Sequence, residues 1–371
     1  MRVHPLTTRA GQLASLLRAG GSHAAIDHGL LDSAVEHGVA PLLYRALHER
    51  GVLEQLDSAI GARLARLARE AALYDEIQRS DLRKLVRALS AEQLHPILFK
   101  GAALASSHYA EAWLRPRGDA DLLLSEAEAQ RAGAILEARG FLRLARPEGP
   151  HVTQARYQAR VGGIGLAYDV HWRLAEPRVF AECLSYEELA AASVEGEYGR
   201  HPCDVHALLI VCMHRVAHHH DADQLIQICD IDRLARGLDD AEWREAAVLA
   251  IERGLAAVCL RGLTLAAEAF DTPVPATIRE ALSTAAAGEA GARFLDRRLR
   301  RIDVLASDFG VLDTWRSRLD LVRRHLFPPA AYMRSVHGES VPLPVLYISR
   351  IVRGATRWAE PIRKFEVRSE K

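Results

Sequence analysis

A helical pattern fills the first quarter of the chain and stops at Pro96, where a different pattern begins. Between Ile60 and Leu94 the only helix-breaking residue is Gly61, and apolar residues recur at helical spacing. Proline has no backbone N–H and cannot continue a helix, so Pro96 ends the run. Short apolar strands then alternate with short helices as far as about residue 175. The change predicts an α+β fold in which a small mixed sheet follows a helical region.

The chain divides into three regions on this pattern. Residues 1–95 form an N-terminal helical region, residues 96–200 a mixed α/β core, and residues 201–371 a C-terminal helical region. We expect the C-terminal helices to pack as a bundle against the sheet. The predicted strands are 97–99, 120–124, 141–145 and 165–174, with a turn at Gly162-Gly163 before the last strand. The predicted C-terminal helices are about 204–220, 224–237, 240–270, 276–301 and 312–325, and an apolar stretch and a basic tail follow them.

The composition and charge argue against several classes of protein. With 371 residues, 49% of them hydrophobic, the chain can bury a large core. Lysine plus arginine equals aspartate plus glutamate at 48 each, which argues against a protein that coats nucleic acid or a membrane surface. The five cysteines form no C-x-x-C pair, no stretch is apolar enough to span a membrane, and the N-terminus lacks a signal-peptide core. We therefore expect a cytoplasmic protein with reduced thiols, no membrane span and no indicated nucleic-acid partner.

Two aspartates lie one residue apart at the start of a predicted strand. They are Asp119 and Asp121, in the segment RPRGDADLLL. In a strand, residues i and i+2 point to the same side, so the two carboxylates repel each other unless a cation lies between them. Mg²⁺ suits such a place because it binds carboxylates, waters and phosphates. Without a metal nothing is expected between the carboxylates, so Asp121→Asn should leave thermal stability unchanged or raise it slightly.

Other aspartate pairs in the chain have the same spacing but a different context. Asp230 and Asp232 lie in a helical pattern, where residues i and i+2 do not face each other. Asp221 and Asp223 lie in a polar break after three histidines. With 26% charged residues such spacing arises readily by chance, so the apolar strand after Asp121 is what distinguishes its pair.

A third aspartate, Asp169, lies in the later segment GLAYDVHWRL. Alternation places Asp169 and His171 on one face of this strand and apolar residues on the other. If the strand pairs next to residues 120–124, Asp169 can converge with Asp119 and Asp121 on two Mg²⁺ ions. Two metals held in this way clamp the attacking and leaving oxygens of a phosphoryl or nucleotidyl transfer. The alternative is that Asp169 lies on a solvated edge face.

A Lys-Gly pair, Lys100-Gly101, follows the first predicted strand and precedes a helix. Gly101 would let the backbone approach a phosphate closely, and the N-terminus of the following helix attracts anions. Arg115 and Arg117, in the segment LRPRGD, are further candidates for phosphate contacts. The alternative for both arginines is a solvated loop around Pro116.

A histidine-rich segment, MHRVAHHHD, ends the first helix of the C-terminal region. His214 and His218 share a face of this helix at spacing i, i+4, which is compatible with metal binding. With Asp221 the pattern is also similar to that of HD-type metal phosphohydrolases, a rival in which the aspartate strand would be incidental. A second alternative is a helix packed beside the core, with these histidines near the edge of the cleft and binding no structural metal. A third is that one of residues 214–220 contacts phosphate or acceptor.

The order of these motifs resembles the polymerase-β-like nucleotidyltransferase superfamily, with K-G, then R-x-x-G-D-x-D before an apolar strand, then an isolated aspartate on a later strand. More closely, the segments LFKGAALA, RPRGDADLLL, YDVHWRL and LLIVCMHRVAHHH…ICDIDRL resemble the bacterial uncharacterised nucleotidyltransferase family, over roughly residues 40 to 350. By position, Asp119 and Asp121 match the metal-binding pair, Asp169 the third carboxylate and Gly101 the glycine of the nucleotide-binding turn. The superfamily commonly has Gly-Ser or Gly-Gly at that turn, where this chain has Gly101-Ala102.

The resemblance implies a metal-dependent nucleotidyltransferase that moves a nucleoside monophosphate from a nucleoside triphosphate, such as ATP, to an acceptor hydroxyl. Two Mg²⁺ ions would be held by the three aspartates, while Lys100, the Gly101-Ala102 turn and Arg115 or Arg117 would hold the triphosphate. The acceptor, whether a small molecule, a peptide or a protein, is left open. The rival from another class is an inactive nucleotide-binding or regulatory module of the same fold, against which the three intact aspartates argue.

Overall fold

The computed structural model describes residues 6–18, 26–144, 152–296, 298–312, 314–337 and 341–359. The basic end of the tail, residues 360–371, and Ala145 lie outside the described residues. The strands are β1 Ile97–Phe99, β2 Ala120–Leu123, β3 Leu142–Arg143, β4 Gln154–Val161, β5 Ile164–His171, β6 Ser193–Gly196 and β7 Gly199–Pro202. The α-helices are α1 Thr8–Leu17, α2 His28–Glu36, α3 Ala40–Glu49, α4 Ser58–Ala91, α5 Lys100–Ser107, α6 Glu126–Ala138, α7 Arg178–Ala181, α8 Tyr186–Ala191, α9 Asp204–Ala217, α10 Leu225–Gly237, α11 Asp240–Glu252, α12 Ala256–Phe270, α13 Ala276–Ala285, α14 Arg301–Val311, α15 Trp315–Leu326, α16 Ala330–His337 and α17 Leu343–Ala359.

Five of the strands form a mixed sheet in the order β1-β2-β5-β4-β3. The β2–β5 pair is parallel and the other pairs are antiparallel. β6 and β7 form a separate antiparallel hairpin. The fold is therefore the predicted α+β class, a small mixed sheet surrounded by helices.

The longest predicted strands are present, but the sequence did not predict β4. β4 and β5 form a hairpin whose turn is Gly162-Gly163, with φ values of 59° and 83°. Two successive residues with positive φ are typical of a tight hairpin turn, and glycine adopts them without steric cost. The alternation in β4 is weak because its second half is largely exposed, so it lacks the apolar pattern that marks a buried strand. The predicted strand 141–145 is reduced to Leu142–Arg143.

Alternation along the strands gives the sheet two different faces. We call the face that carries Asp121 and Asp169 the front face. The back face carries Leu122 of β2 and Val170 of β5, which pack against α4 and α6 in one apolar core. On the front face Phe99 belongs to a second core that includes α9. The C-terminal bundle thus packs against the front of the sheet.

The 34-residue helix α4 connects the two cores. Its first turns place Ile60 and Leu64 in the front core, and its last turns place Leu85 and Leu89 in the back core. Asp57 caps the start of this helix, and its side chain accepts hydrogen bonds from the backbone N–H groups of Ala59 and Ile60. The front core also contains residues of α1–α3, so N-terminal and C-terminal helices share it. The predicted boundaries at residues 95 and 200 stay a prediction.

Several C-terminal helices are shorter than predicted. The predicted helix 240–270 is interrupted at Gly254, where φ is +66° and the backbone N–H groups of Gly254 and Leu255 bond back to the end of α11. This is a common way for a helix to end, and glycine favours it because it adopts positive φ without strain. The predicted helix 204–220 ends at Ala217, and the predicted helix 276–301 is broken after Ala285. Among the residues with assigned structure, no helix has the length and apolar character that crossing a membrane requires.

Candidate active site

Asp121 and Asp169 stand opposite each other on neighbouring parallel strands. The register of β2 and β5 pairs them directly. β4 places Arg156 opposite Asp169, and β1 places Phe99 opposite Asp121. Residues opposite each other in a sheet share a face, so these four side chains form a row across the front face. The strand that carries Asp169 therefore pairs next to the strand of residues 120–124, which is the condition under which Asp169 was expected to approach Asp121.

The Asp121 carboxylate is buried and has two partners. Lys100 Nζ and His171 Nε2 each lie 2.9 Å from Asp121 Oδ1. Burial acts to raise the pKa of Asp121, but the positive charge of Lys100 and the hydrogen bond from His171 outweigh it and hold the pKa well below its usual range. The expectation that Asp119 and Asp121 repel each other with no cation nearby is therefore wrong, because Lys100 contacts Asp121. The expectation that Asp121→Asn leaves the stability unchanged or slightly raised loses its basis for the same reason.

One guanidinium nitrogen contacts the other two carboxylates. Arg156 Nη1 lies 3.0 Å from Asp119 Oδ2 and 3.2 Å from Asp169 Oδ2. Gln154 Nε2 donates a further hydrogen bond of 3.1 Å to Asp169 Oδ2. The Asp119 side chain is 33% exposed, against 9% for Asp169. Loss of hydration and the negative charge of Asp121 raise the pKa of Asp119.

Asp121, Asp169 and His171 together have the donor set of a metal site. Each offers one ligand atom, and the three atoms lie within 4.8 Å of one another. Burial and the nearby Lys100 ammonium lower the pKa of His171 to about 4, so its imidazole is neutral at neutral pH and has a free electron pair. Two carboxylates and one neutral imidazole fit a divalent cation. The Asp119 carboxylate is outside this group, and its role as a ligand stays a prediction.

The Lys-Gly turn is built differently from a simple phosphate loop. Lys100 has φ +54°, a left-handed conformation that costs a non-glycine residue about 1 kcal/mol. This conformation accompanies the buried contact of its ammonium with Asp121. A Cβ at Gly101 would overlap Arg115 Nη1, so glycine at this position leaves room for the Arg115 guanidinium. Ala102 is buried in the back core.

Arg115 and Arg117 are both paired with aspartates of distant helices. Arg115 Nη2 lies 2.7 Å from Asp230 Oδ2 on α10. Arg117 Nη1 lies 2.8 Å from Asp75 Oδ1 on α4, and its side chain is only 4% exposed. The alternative of a solvated loop is therefore wrong for both arginines. Contact with a phosphate would require either ion pair to open.

The histidine-rich segment lies close to the aspartates. Burial and the charge of Lys100 lower the pKa values of His214, His218 and His219. His219 Nε2 and His214 Nε2 are 3.2 Å apart and hydrogen-bond to each other. These imidazoles are therefore neutral groups near Lys100, while the metal-compatible group found among the described residues does not include them.

Asp221, which the phosphohydrolase alternative needs as a ligand, has a structural role instead. α9 ends at Ala217, before the histidine–aspartate pair. The Asp221 carboxylate lies 2.5 Å from Arg215 Nη1 and 3.2 Å from Arg261 Nε, and all three side chains are almost fully buried. Asp221 is not part of the metal-compatible group found among the described residues, and two arginines bind it inside the protein, so the structure argues against this alternative.

The other aspartate pairs behave as their context predicts. Asp230 accepts hydrogen bonds from Tyr109 and Arg115. Asp232 bonds Arg236 and Thr272 instead. Both aspartates lie on α10, and among the described residues their hydrogen-bonding partners differ. The spacing by itself therefore carried no functional meaning.

A cleft opens beyond the C-terminal ends of β2 and β5. It is lined by Leu123 at the end of β2, by Trp172 and Arg173 after β5, and by the segment that contains α7 and α8, and its volume is about 230 Å³. Glu126, Glu182 and Glu187 give it three acidic side chains, of which Glu182 pairs with Arg173.

Sequence reasoning missed three residues of this site. His171 was placed on the correct face of its strand but was given no role. The i, i+2 spacing of Asp169 and His171 was the signal for it. Arg156 and Gln154 were missed because β4 was missed. The Gly-Gly turn between two stretches of similar length was the available signal for that hairpin.

The family comparison agrees with this geometry. The uncharacterised nucleotidyltransferase family matches residues 25–271, a range that includes the whole sheet, the histidine-rich segment and α9–α12. The chain belongs to this family. The match ends at Asp271, so α13–α17 lie outside the part that defines the family. No curated protein matches the chain.

Proposed function

We propose that the protein is a metal-dependent nucleotidyltransferase, in which an acceptor hydroxyl forms a phosphoester bond with the α-phosphorus of a nucleoside triphosphate such as ATP, the α–β phosphoanhydride bond breaks and pyrophosphate leaves. The observation that carries the proposal is the direct pairing of Asp121 with Asp169 on the front face, in a chain of this family. Two carboxylates aimed at one point of a buried site suit the binding of a divalent cation with a triphosphate. The acceptor hydroxyl belongs to a small molecule, a peptide or a protein.

The net charge of the site favours the binding of divalent cations together with the nucleotide. Three carboxylates face two cationic side chains, Lys100 and Arg156, while His171 is neutral. The side chains alone therefore leave one net negative charge. A nucleoside triphosphate, which carries about four negative charges, would be repelled unless divalent cations entered with it. Mg²⁺ is the ion we propose, as one ion on Asp121 and Asp169 or as two ions shared with Asp119.

Each charged residue of the site then has a task. When bound, the cation polarises the transferring phosphoryl group and lowers the pKa of the acceptor hydroxyl. Asp121 and Asp169 hold the cation, with Asp119 as a third carboxylate. Lys100 exchanges its contact with Asp121 for one with a phosphate oxygen, which keeps its ammonium paired with an anion. Arg156, at the more exposed end of the row, neutralises charge that develops on the phosphates.

The Gly101-Ala102 turn and the two arginines before Asp119 have different roles in this proposal. The Gly101-Ala102 turn supplies backbone N–H groups at the start of α5. Arg115 and Arg117 enter only if Asp230 and Asp75 release them, so we assign them to supporting the turn and the loop before Asp119.

The experiment is nucleotide transfer with an α-labelled nucleoside triphosphate. Wild-type protein is incubated with each of the four labelled nucleotides, Mg²⁺ and a lysate of small molecules and proteins, and labelled products are separated by size. Asp169→Asn should abolish the labelled product. The matched control is Asp240→Asn, the same change at an exposed aspartate at the start of α11, which should retain it. Labelling that persists in Asp169→Asn would contradict the proposal.

A second candidate function is nucleotide binding without catalysis. It is favoured by the observation that all three carboxylates already have cationic partners in Lys100 and Arg156. Calorimetry with each nucleotide, with and without Mg²⁺, separates the two. Tight binding without any labelled product would favour this candidate.

A further inference from the structure

We propose that His171 is a direct ligand of the divalent cation, through Nε2, and that the resulting Asp121–Asp169–His171 set makes the site prefer Mn²⁺ over Mg²⁺. The proposal deepens the function above and rests on it for the presence of a cation. It assigns a role to a residue that the three predicted aspartates do not include.

The position of His171 follows from the sheet. It lies two residues after Asp169 on β5, so both side chains project from the front face. Its side chain is fully buried, at 0% exposure. Its ligand nitrogen lies within 4.8 Å of ligand oxygens of both Asp121 and Asp169. A cation placed between the two carboxylates would therefore be within reach of this imidazole without a change of backbone.

The two ring nitrogens of His171 have different partners. His171 Nε2 faces Asp121 Oδ1 at 2.9 Å, and Nδ1 faces the backbone carbonyl oxygen of Arg173 at 3.3 Å. Both partners are acceptors. When Nδ1–H donates to the Arg173 carbonyl, the lone pair of Nε2 is directed towards the Asp121 carboxylate, where a cation held by Asp121 and Asp169 would lie.

This arrangement is the one that metal-binding histidines usually have. The ring nitrogen that does not bind the metal donates to a carbonyl or carboxylate, which fixes the tautomer and the ring orientation. The ring of Phe99, on the neighbouring β1, meets the His171 ring edge to face, with 5.0 Å between centroids. The orientation of the ring is thus fixed from two sides before any cation binds.

The donor set determines the metal preference. Mg²⁺ binds oxygen ligands almost exclusively and keeps several waters. Imidazole is a softer donor, and affinity of a site with nitrogen rises from Mn²⁺ towards the later first-row metals. Two carboxylates with one imidazole therefore retain useful affinity for Mg²⁺ in the presence of nucleotide but bind Mn²⁺ more tightly.

The test is pulsed electron paramagnetic resonance of Mn²⁺ bound to the full-length protein, with and without a non-hydrolysable ATP analogue. Wild type should show the hyperfine coupling of a directly bound ¹⁴N nucleus. His171→Asn offers an amide oxygen at a similar position, so it should lose the coupling and bind Mn²⁺ about tenfold more weakly. Its affinity for Mg²⁺ should change much less.

The matched controls are His214→Asn and His218→Asn, which remove imidazoles that lie near Lys100 but outside the three-ligand group. Both should keep the nitrogen coupling. If Mn²⁺ binds wild type without nitrogen coupling, or if the coupling survives His171→Asn, the His171 assignment is wrong while the nucleotidyltransferase proposal stands.

Two further outcomes are decisive. If no divalent cation binds wild type with or without nucleotide, the proposed function itself fails. If His171→Asn does not fold, wild type with ¹⁵N-labelled histidine shows whether any histidine is a ligand. Variants at His214, His218 and His219 then identify the histidine that binds the metal. If any one of these variants loses the nitrogen coupling, the assignment to His171 is wrong.

Discussion

The Lys100 ammonium lies 2.9 Å from the Asp121 carboxylate, and both side chains are almost completely buried. The contact joins the first residue of α5 to the middle of the sheet. The left-handed backbone of Lys100 is an unfavourable conformation that accompanies this contact. The Lys100 ammonium therefore neutralises the carboxylate that we propose as a metal ligand. Asp121 thus has a role in stability and a proposed role in metal binding, and the two can be measured separately.

Asp121→Asn should destabilise the protein by about 3 kcal/mol, because it leaves a buried ammonium opposite a neutral amide. The pKa of Asp121 is lowered in the folded state. Its contribution is therefore present above the unfolded pKa of about 3.9 and is lost as the pH falls below it. Urea unfolding at neutral pH should show the loss, and the gap to wild type should shrink in acid.

The control for this prediction is the double variant Lys100→Met with Asp121→Asn. It removes both charges, so it should be more stable than Asp121→Asn alone and close to wild type. If Asp121→Asn unfolds at the same urea concentration as wild type, the ammonium does not depend on this carboxylate and the contact has no energetic weight.

Gly101→Ala should destabilise the protein by about 1–3 kcal/mol, because the new methyl group overlaps Arg115 Nη1. Arg115 cannot move away easily, since Asp230 holds it at 2.7 Å. The matched control is Gly118→Ala, in the loop before Asp119, where a Cβ meets nothing within 4 Å. Thermal unfolding of the two variants checks the prediction, and equal melting temperatures would contradict it.

Asp221→Asn should cost about 3–5 kcal/mol, because Arg215 and Arg261 would face a neutral amide inside the protein. Its effect on metal binding should be small. In calorimetry with Mn²⁺ and a nucleotide analogue, the folded variant should keep the wild-type affinity, whereas Asp169→Asn should lose it. Loss of metal binding in folded Asp221→Asn would revive the phosphohydrolase alternative.

The protein should lose stability as the pH falls from about 6.5 to 4, because buried histidines must take up protons on unfolding. Burial and the charge of Lys100 lower the pKa of His219 to about 4. The folded state therefore binds fewer protons than the unfolded state in this window, and stability is highest above it. The slope should approach about 1.4 kcal/mol per pH unit for each such histidine.

His219→Gln is the variant that checks this slope, since glutamine can still hydrogen-bond His214 but does not titrate. Urea unfolding at about pH 7, 6 and 5 should give a shallower pH dependence than wild type, by up to one proton. His28→Gln, at the surface end of α2, is the matched control and should leave the slope unchanged. An identical slope in His219→Gln would show that this imidazole is not buried neutral.

The sequence by itself determined the features that depend on neighbours along the chain. Helical spacing up to Pro96, the turn at Gly162-Gly163 and the apolar strand after Asp121 are local patterns, and all three are present. The alternation in β5 likewise placed Asp169 and His171 on one face, because side chains in a strand alternate whatever the strand packs against. The motif order was enough to identify the family.

The tertiary structure alone decided which charges meet. Lys100 with Asp121, Arg156 with Asp119 and Asp169, and Arg115 with Asp230 are separated by 13 to 115 residues in the chain. Their pairing depends on the strand order β1-β2-β5-β4 and on the docking of α10, which no local pattern encodes. The same aspartate spacing thus became a paired row on a sheet at Asp121 and a pair of unrelated contacts on α10, because a side chain's partners are set by the elements packed against it.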